Sequence, residues 1–157
     1  LEVVILGNGD KSFQNILLDL QKKYSRRLSV TIGFDDVLAH KIYAGADIFL
    51  MPSEYEPCGL GQLIALCYGT IPVGRKTGGI VDTISEYNPS KGTGTGFLFN
   101  GSSPEEFLIT IKRANEFFND KQHWVKIQKN AMSRNFSWRR SSEEYLSLYQ
   151  KSLKKKY

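Results

Sequence analysis

The chain has 157 residues, of which 41% are hydrophobic and 12% aromatic, and a domain of this length buries roughly 70% of the surface that its unfolded form exposes. This composition excludes a disordered or fibrous protein, and no apolar run approaches the ~20 residues of a membrane span, so we expect a globular protein with one core and no membrane partner. The formal net charge of +5 lies partly in Lys151, Lys154, Lys155 and Lys156, and without a basic stripe interleaved with aromatic residues no nucleic-acid partner is predicted.

The first part of the chain alternates strand and helix patterns. A β-branched apolar run at residues 2–6 predicts a strand, and apolar residues at helical spacing over residues 13–24 predict an amphipathic helix. Residues 28–32 predict the next strand, after which Asp35 or Asp36 can cap a second helix. Each strand therefore leads into a helix, which is typical of an α/β protein.

Two places beside these strands have more than one interpretation. The turn at residues 7–10, GNGD, has only the start of a dinucleotide-binding fingerprint, because Ser12 stands where the third glycine would be. A plain strand-to-helix turn is favoured there. Phe34 follows the second strand, at the strand end where open α/β sheets bind their ligands, and it either belongs to the core or stacks on a nucleotide base.

The centre of the chain repeats one construction: a strand, a glycine loop and a helix start. The first copy has an apolar strand at residues 48–51, a loop with the acids Glu54 and Glu56, and an apolar helix after a Cys-Gly turn. The second copy has a strand at residues 71–74 and a Thr-Gly-Gly turn before a helical run. Because helix starts carry unpaired backbone NH groups and the positive end of the helix dipole, the two loops predict neighbouring phosphate sites.

The two turns supply the candidate phosphate-binding residues. The expected backbone NH donors are Thr77, Gly78, Gly79, Gly59 and Leu60. Of these, Gly59 is equally explained as a plain turn residue. Cys58 is expected to form part of the wall rather than a nucleophile, since no histidine is near it in sequence. Arg75 and Lys76 either reach the phosphates or remain solvated.

The remainder of the chain predicts one more strand and then helices alone. Residues 88–95 are rich in glycine, serine and proline and predict a mobile surface loop, followed by a short strand at residues 97–99. Ser103 and Pro104 are typical of a helix start, and the last helix is expected from about Ser141. Apolar residues at helical spacing in these helices are Phe107, Ile111, Ala114, Phe118, Trp124, Ile127, Ala131, Leu146, Tyr149 and Leu153. The order predicts an α/β fold whose parallel sheet has helices on both faces and which ends in helices.

The cysteines and the first residue carry weaker information. Cys58 and Cys67 lack metal-ligand spacing and further cysteine partners, so a reducing compartment is expected and no metal site is predicted. The chain begins at Leu1 within an apolar run, without a methionine or a targeting leader, and we expect it to be a fragment of a longer protein.

Several stretches together closely resemble the signature of bacterial glycogen synthases and plant starch synthases. The central part of the resemblance is carried by residues 56–60 (EPCGL), 62–63 (QL), 68–72 (YGTIP) and 75–83 (RKTGGIVDT). Similar words stand at residues 6–10, 32–34, 44–47, 94–97 and 135–138. The resemblance therefore covers nearly the whole chain.

This resemblance implies a glycosyltransferase of GT-B architecture, in which two Rossmann-like domains face a cleft and glucose passes from ADP-glucose to an α-1,4-glucan with retention. Residues 1–157 would be its C-terminal nucleotide-sugar-binding domain, truncated at the N-terminal side. The implied partners are ADP-glucose, the glucan and the N-terminal GT-B domain of the same full-length chain, with no cofactor besides the substrate. A cytoplasmic location is implied, or a plastid if the source is a plant.

The resemblance also implies roles for individual residues. Glu56 matches the first of two glutamates, separated by seven residues, of the wider retaining GT-B group, and it would stabilise positive charge on the sugar rather than act as a nucleophile. Ile64 stands at the second position, as in synthases of this type, so Glu56 would work alone; a solvated loop acid is the alternative. The aromatic residue beside Gly33, here Phe34, would lie near the adenine. A glycosidase built on Glu54 and Glu56 is disfavoured, because residues two apart on one loop do not flank a bond across a cleft.

Two other functions remain open on the sequence. One is a GT-B transferase that uses a UDP-sugar, and the other is a noncatalytic nucleotide-sugar or glucan-binding module. Competition between ADP and UDP would separate them from the first interpretation. The isolated chain is expected to be inactive, because in the resembled family the acceptor site and the basic residues that neutralise the diphosphate precede the matched region.

Overall fold

The computed structural model describes residues 1–154. Within them the chain forms two compact units, with the division between Ala46 and Asp47. Compact units of this size can be parts of one domain, so the single domain over residues 1–157 stays a prediction. Along the described residues, no helix is long and apolar enough to cross a membrane.

The first unit is built from two strand-helix pairs. Its elements are β1 (Val3–Gly7), α1 (Lys11–Lys23), β2 (Leu28–Ile32) and α2 (Asp36–Gly45). The strands pair in parallel, starting with Val3 opposite Leu28. Of the two possible caps for α2, the structure has Asp35, whose carboxylate accepts a hydrogen bond from the Leu38 amide at 2.9 Å. The strands and helices predicted for this part of the chain are confirmed.

The second unit contains a parallel sheet in the order β3-β4-β5, followed by helices. Its elements are β3 (Ile48–Met51), α3 (Gly61–Tyr68), β4 (Ile71–Arg75), α4 (Ile80–Thr83), β5 (Phe97–Phe99), α5 (Pro104–Asn119), α6 (Lys121–Met132) and α7 (Trp138–Lys154). β4 lies between the other strands, with Ile48 opposite Ile71 and Phe97 opposite Val73. The element order and the parallel pairing confirm the predicted α/β class.

Alternate residues of this sheet belong to two apolar clusters, because successive side chains of a strand point to opposite faces. On one face Val73 shares a buried cluster with Leu66 of α3 and Ile127 of α6, and α5 also packs there. On the other face Met51 shares a cluster with Ile80 of α4. Helices therefore cover both faces of the sheet in this unit, as predicted.

The helix patterns predicted for α5 and α6 are confirmed with one exception. The Ser103 hydroxyl caps α5 by accepting from the Glu106 amide at 3.1 Å, with proline at the first helical position. In α6 the residues at helical spacing are buried: Trp124, Ile127 and Ala131. Phe118 was predicted to face the core but is 37% exposed, because it lies near the end of α5 and meets the Trp124 ring only edge to face.

The loop at residues 88–95 differs from the mobile loop that its composition predicts. It contains no helix or strand, but the Asn130 side chain of α6 donates hydrogen bonds to the carbonyls of Gly92 and Gly94, at 2.9 and 3.0 Å. Thr95, the last residue of the loop, is buried. A side chain that is distant in sequence therefore holds this segment, and composition alone does not report such a contact.

The last helix begins earlier than its sequence pattern predicts. It starts at Trp138 rather than near Ser141. The apolar residues predicted to share one side, Leu146, Tyr149 and Leu153, are all exposed. Lys151 and Lys154 belong to this helix, and the remainder of the lysine cluster lies outside the described residues.

Candidate functional site

The first glycine loop, which we define as residues 52–60 between β3 and α3, is held through its backbone carbonyls. The Glu54 carbonyl accepts a hydrogen bond from the Arg75 guanidinium. The Glu56 carbonyl accepts one from the Gly79 amide at 2.9 Å. Two carbonyl acceptors of this loop are thus occupied within the protein, by Arg75 at the end of β4 and by Gly79 after it.

A buried glutamine makes a further connection to the same loop. Gln62, fully buried in the first turn of α3, donates from Nε2 to the Cys58 carbonyl at 3.0 Å and to the Thr83 hydroxyl at 3.2 Å. That hydroxyl donates in turn to the Gly79 carbonyl at 2.7 Å. Side chains of α3 and α4 therefore form a hydrogen-bonded link between the two glycine loops.

The second glycine loop, residues 76–79 between β4 and α4, packs against the first loop backbone to backbone. A Cβ at Gly78 would lie 1.9 Å from the Glu56 carbonyl oxygen, and Gly78 has a φ of +46°. A Cβ at Gly79 would lie 2.4 Å from the Cys58 carbonyl oxygen. The space in the direction of each missing Cβ is therefore taken by the first glycine loop.

The three expected donors of the second glycine loop are not equivalent. The Thr77 amide donates to the Arg75 carbonyl at 2.9 Å, and the Gly79 amide donates to Glu56. Among residues 1–154, the Gly78 amide has no acceptor. Because α4 has only four residues, few peptide dipoles align behind that amide, and its own N–H is the group available to an anion.

The start of α3 also leaves donors unused. Neither the Gly59 nor the Leu60 amide has an acceptor within the part of the chain that the structure describes, and no side chain caps this helix. Gly59 has a φ of +71°, and a Cβ there would lie 2.3 Å from the Gln62 side-chain oxygen. A glycine is therefore required at this turn whatever binds to the loop.

The starts of helices α1 to α6 fall into two groups. Side chains cap four of them, and the capping residues are Asp10, Asp35, Ser103 and Asp120. The starts of α3 and α4, at Leu60 and Gly79, have no side-chain cap. These two uncapped starts are the ones that follow the paired glycine loops, so free donors are concentrated where the sequence predicts phosphates.

The candidate acid lies between these two helix starts. Glu56 is half-buried, and its carboxylate accepts a hydrogen bond from the Ser53 hydroxyl at 3.3 Å. Its neighbours Glu54 and Tyr55 are exposed. The loop thus fixes the backbone of Glu56 and leaves the residue partly exposed.

The remaining predicted residues have mixed outcomes. Cys58 is a free, exposed thiol, which agrees with a wall position. Phe34 is 94% exposed, so the core interpretation is wrong and base stacking stays a prediction. Within residues 1–154, no group of three or more His, Cys, Asp or Glu side chains could hold a metal ion.

Sequence reasoning missed the residues that position the loops. Arg75 donates to the carbonyls of Gly101, at 3.1 Å, and Glu54, so its guanidinium already has acceptors. Gln62 and Thr83 stand in the stretches that carry the family resemblance, but no role was assigned to either, because neither belongs to a turn. The available signal was Gln62 itself, a polar residue inside the apolar helix pattern at residues 60–66.

A parallel α/β unit with two adjacent, uncapped, glycine-built helix starts is of the class that binds phosphorylated ligands at its strand ends. The family model of the glycosyl transferases group 1 matches residues 1–134. The chain therefore belongs to the group 1 glycosyl transferases.

Similar proteins agree with this family. Glycogen synthase of Fervidobacterium nodosum is 48% identical over 155 residues, and that of Thermotoga maritima is 49% identical over 156 residues. Each match covers 99% of this chain and 32% of the relative. The chain thus spans about a third of the length of the curated relatives it matches.

Solved structures support the fold. The catalytic domain of starch synthase IV from Arabidopsis thaliana, bound to ADP and acarbose, matches with a TM-score of 0.85 and 32% identity over 98% of this chain and 32% of that chain. Sucrose-phosphate synthase of Thermosynechococcus elongatus matches with a TM-score of 0.69, 22% identity and coverage of 97% and 38%, which supports the fold alone. The predicted Rossmann-like α/β fold of GT-B type and the resemblance to glycogen and starch synthases are confirmed.

Proposed function

We propose that this chain is the donor-binding part of a retaining glucosyltransferase that extends an α-1,4-glucan from ADP-glucose. Its relatives at 48–49% identity are glycogen synthases, and the similar starch synthase IV structure contains ADP and acarbose. Since the chain spans about a third of those relatives, we propose that it acts with an N-terminal GT-B domain of the same protein. A cytoplasmic location, or a plastid in a plant, accompanies this proposal.

The observation that carries the proposal is the polarity of the two glycine loops. Their contacting carbonyls at residues 54, 56 and 58 are all engaged by protein donors, whereas the amides of Gly59, Leu60 and Gly78 have no acceptor among the described residues. These three amides are therefore available to donate hydrogen bonds to a bound anion, which suits a diphosphate. In this proposal Thr77 and Gly79 flank the donor Gly78 in the second glycine loop.

The proposed chemistry places Glu56 beside the sugar. As the bond between C1 and the diphosphate oxygen breaks, its electron pair leaves with the diphosphate, and the free amides stabilise the growing negative charge. Positive charge develops on the sugar, and the Glu56 carboxylate stabilises it. The glucan hydroxyl forms the new bond to C1 from the same face, and its proton leaves with the diphosphate.

The other residues have supporting roles. Cys58 forms part of the wall, and Phe34, whose side chain is 94% exposed, is available to stack on a base. No cofactor is assigned, because the leaving group and the two charge-stabilising groups account for the bonds that form and break. The water-excluding closure of the site requires the second domain, so the isolated chain is expected to bind ADP weakly and to transfer no glucose.

The test is incorporation of labelled glucose into glycogen, with the full-length protein and the isolated chain side by side. Transfer from ADP-glucose by the full-length protein, with much weaker transfer from UDP-glucose, supports the proposal. Preferential use of UDP-glucose identifies a different GT-B transferase, and glucan binding without nucleotide binding identifies a noncatalytic module. Comparable activity in the isolated chain would contradict the proposed two-domain site.

A further inference from the structure

We infer that Gln62 is a positioning residue, which holds the first glycine loop against α4 so that Glu56 and the free amides keep their places. The expected effect on activity rests on the proposed function, whereas the expected effect on the structure rests on the hydrogen bonds alone. Gln62 is fully buried and cannot touch a ligand. Its effect on a reaction must therefore pass through the groups that it contacts.

Those groups belong to both halves of the site. The Nε2 group of Gln62 donates to the Cys58 carbonyl at 3.0 Å and to the Thr83 hydroxyl at 3.2 Å. The Thr83 hydroxyl donates to the Gly79 carbonyl at 2.7 Å, and the Gly79 amide donates to the Glu56 carbonyl at 2.9 Å. This series of hydrogen bonds begins at the Cys58 carbonyl and ends at the Glu56 carbonyl.

The unused atom of the same side chain argues against a purely stabilising role. Gln62 Oε1 is buried and has no hydrogen-bond partner within residues 1–154. A buried acceptor without a partner lowers stability, and an apolar residue of similar size would avoid that loss. The glutamine is therefore better explained by the two hydrogen bonds that its Nε2 group donates, to the first glycine loop and to Thr83, than by its contribution to the core.

The test compares two glutamines of α3 and α6 in the full-length protein. Gln62→Met keeps the side-chain length and removes the donors to the first glycine loop. Gln128→Met is the matched control, since Gln128 donates from Nε2 to the Gly69 carbonyl at 3.1 Å, at the opposite end of α3. We expect kcat with ADP-glucose to fall ~10-fold or more for Gln62→Met, and to stay near that of the parent for Gln128→Met.

Gln62→Glu adds a readout that a structural role alone would not give. Its carboxylate cannot donate to the Cys58 carbonyl, whereas its protonated form can, and burial raises the pKa of a carboxyl toward neutrality. We therefore expect its activity, relative to the parent, to rise as the pH is lowered from about 8 to 6. Gln128→Glu serves as the control and should show no such rise.

Hydrogen exchange separates this inference from the proposed function. Exchange of the Gly79 amide, which donates to the Glu56 carbonyl, should become faster in Gln62→Met, with exchange of β4 unchanged. If the parent transfers no glucose, the proposed function fails and exchange alone decides the inference. Should Gln62→Met not fold, Thr83→Val, which breaks the same link at a half-buried residue, takes its place. An unchanged exchange rate of the Gly79 amide, or an unchanged kcat in a folded variant, would overturn the inference.

Discussion

The turn at residues 7–10 and the first glycine loop share one construction, a strand followed by a glycine turn and a helix, but they use their polar groups differently. In the turn, Asn8 Oδ1 accepts from the Gly9 amide at 3.0 Å and from the Gln14 side chain at 2.7 Å. Asp10 accepts from the Ser12 amide at 2.7 Å. Neighbouring side chains satisfy the Gly9 and Ser12 amides, and a plain turn, as favoured by the sequence, accounts for these bonds.

The first glycine loop has the opposite arrangement. Its carbonyls at residues 54, 56 and 58 are engaged by Arg75, Gly79 and Gln62, and its amides at Gly59 and Leu60 have no acceptor among residues 1–154. A glycine turn by itself therefore does not indicate a ligand site. The informative feature is which groups remain unpaired once the neighbouring side chains are placed.

The largest expected effect concerns the acid that the first glycine loop presents. Glu56→Gln in the full-length protein should lower kcat at least ~10²-fold with little change in donor binding, because the carboxylate acts on charge that develops in the transition state. Glu54→Gln is the control, since the Glu54 side chain is exposed and only the backbone carbonyl of this residue is hydrogen-bonded. Steady-state kinetics with ADP-glucose provide the measurement. Equal activity of Glu56→Gln and the parent would remove Glu56 from the site.

A second prediction contrasts glycines of the two regions. Gly78→Ala should lower the free energy of unfolding by ~2 kcal/mol or more, because the added Cβ meets the Glu56 backbone and φ is +46°. Gly9→Ala should change it little, since nothing lies within 4 Å of a Cβ there. Urea unfolding of the two variants gives the comparison. A parent-like Gly78→Ala protein would mean that the two glycine loops are not packed as described.

The sequence predicted the elements well and the loop connections poorly. Strands such as β2 and helices such as α6 follow from local periodicity and capping residues, which act over a few positions. Glu56 and the glycines could be proposed from their place between strand and helix and from the family resemblance. The role of Gln62, and the hold of Asn130 on residues 88–95, depend on contacts between segments far apart in sequence, so neither could be predicted.

A third prediction decides what the basic residues of the second region do. Arg75 already donates to the Glu54 and Gly101 carbonyls, whereas Lys76 is exposed. Arg75→Met should therefore lower kcat several-fold and the free energy of unfolding by about 1 kcal/mol, with ADP affinity nearly preserved. Lys76→Met is the companion variant, and calorimetric titration with ADP provides the measurement. Loss of ADP affinity in Arg75→Met larger than its loss of kcat would instead identify Arg75 as a phosphate ligand.

The smallest expected effect is on stability at alkaline pH, through Tyr87 in the core of the second unit. Burial, with the charge of Asp120, raises the pKa of the Tyr87 hydroxyl above its ordinary value. The folded state therefore resists ionisation of the Tyr87 hydroxyl. The stability that the neutral hydroxyl contributes is fully present below the unfolded pKa of about 10 and is lost as the pH rises through the folded pKa. Tyr87→Phe should unfold about 1 kcal/mol more easily at pH 8, because it loses the 2.6 Å hydrogen bond to His123. Above pH 10 the difference from the parent should shrink, since only the parent loses this contribution. A difference that is constant from pH 8 to 11 in urea unfolding would show that Tyr87 ionises as readily in the folded chain as in the unfolded one.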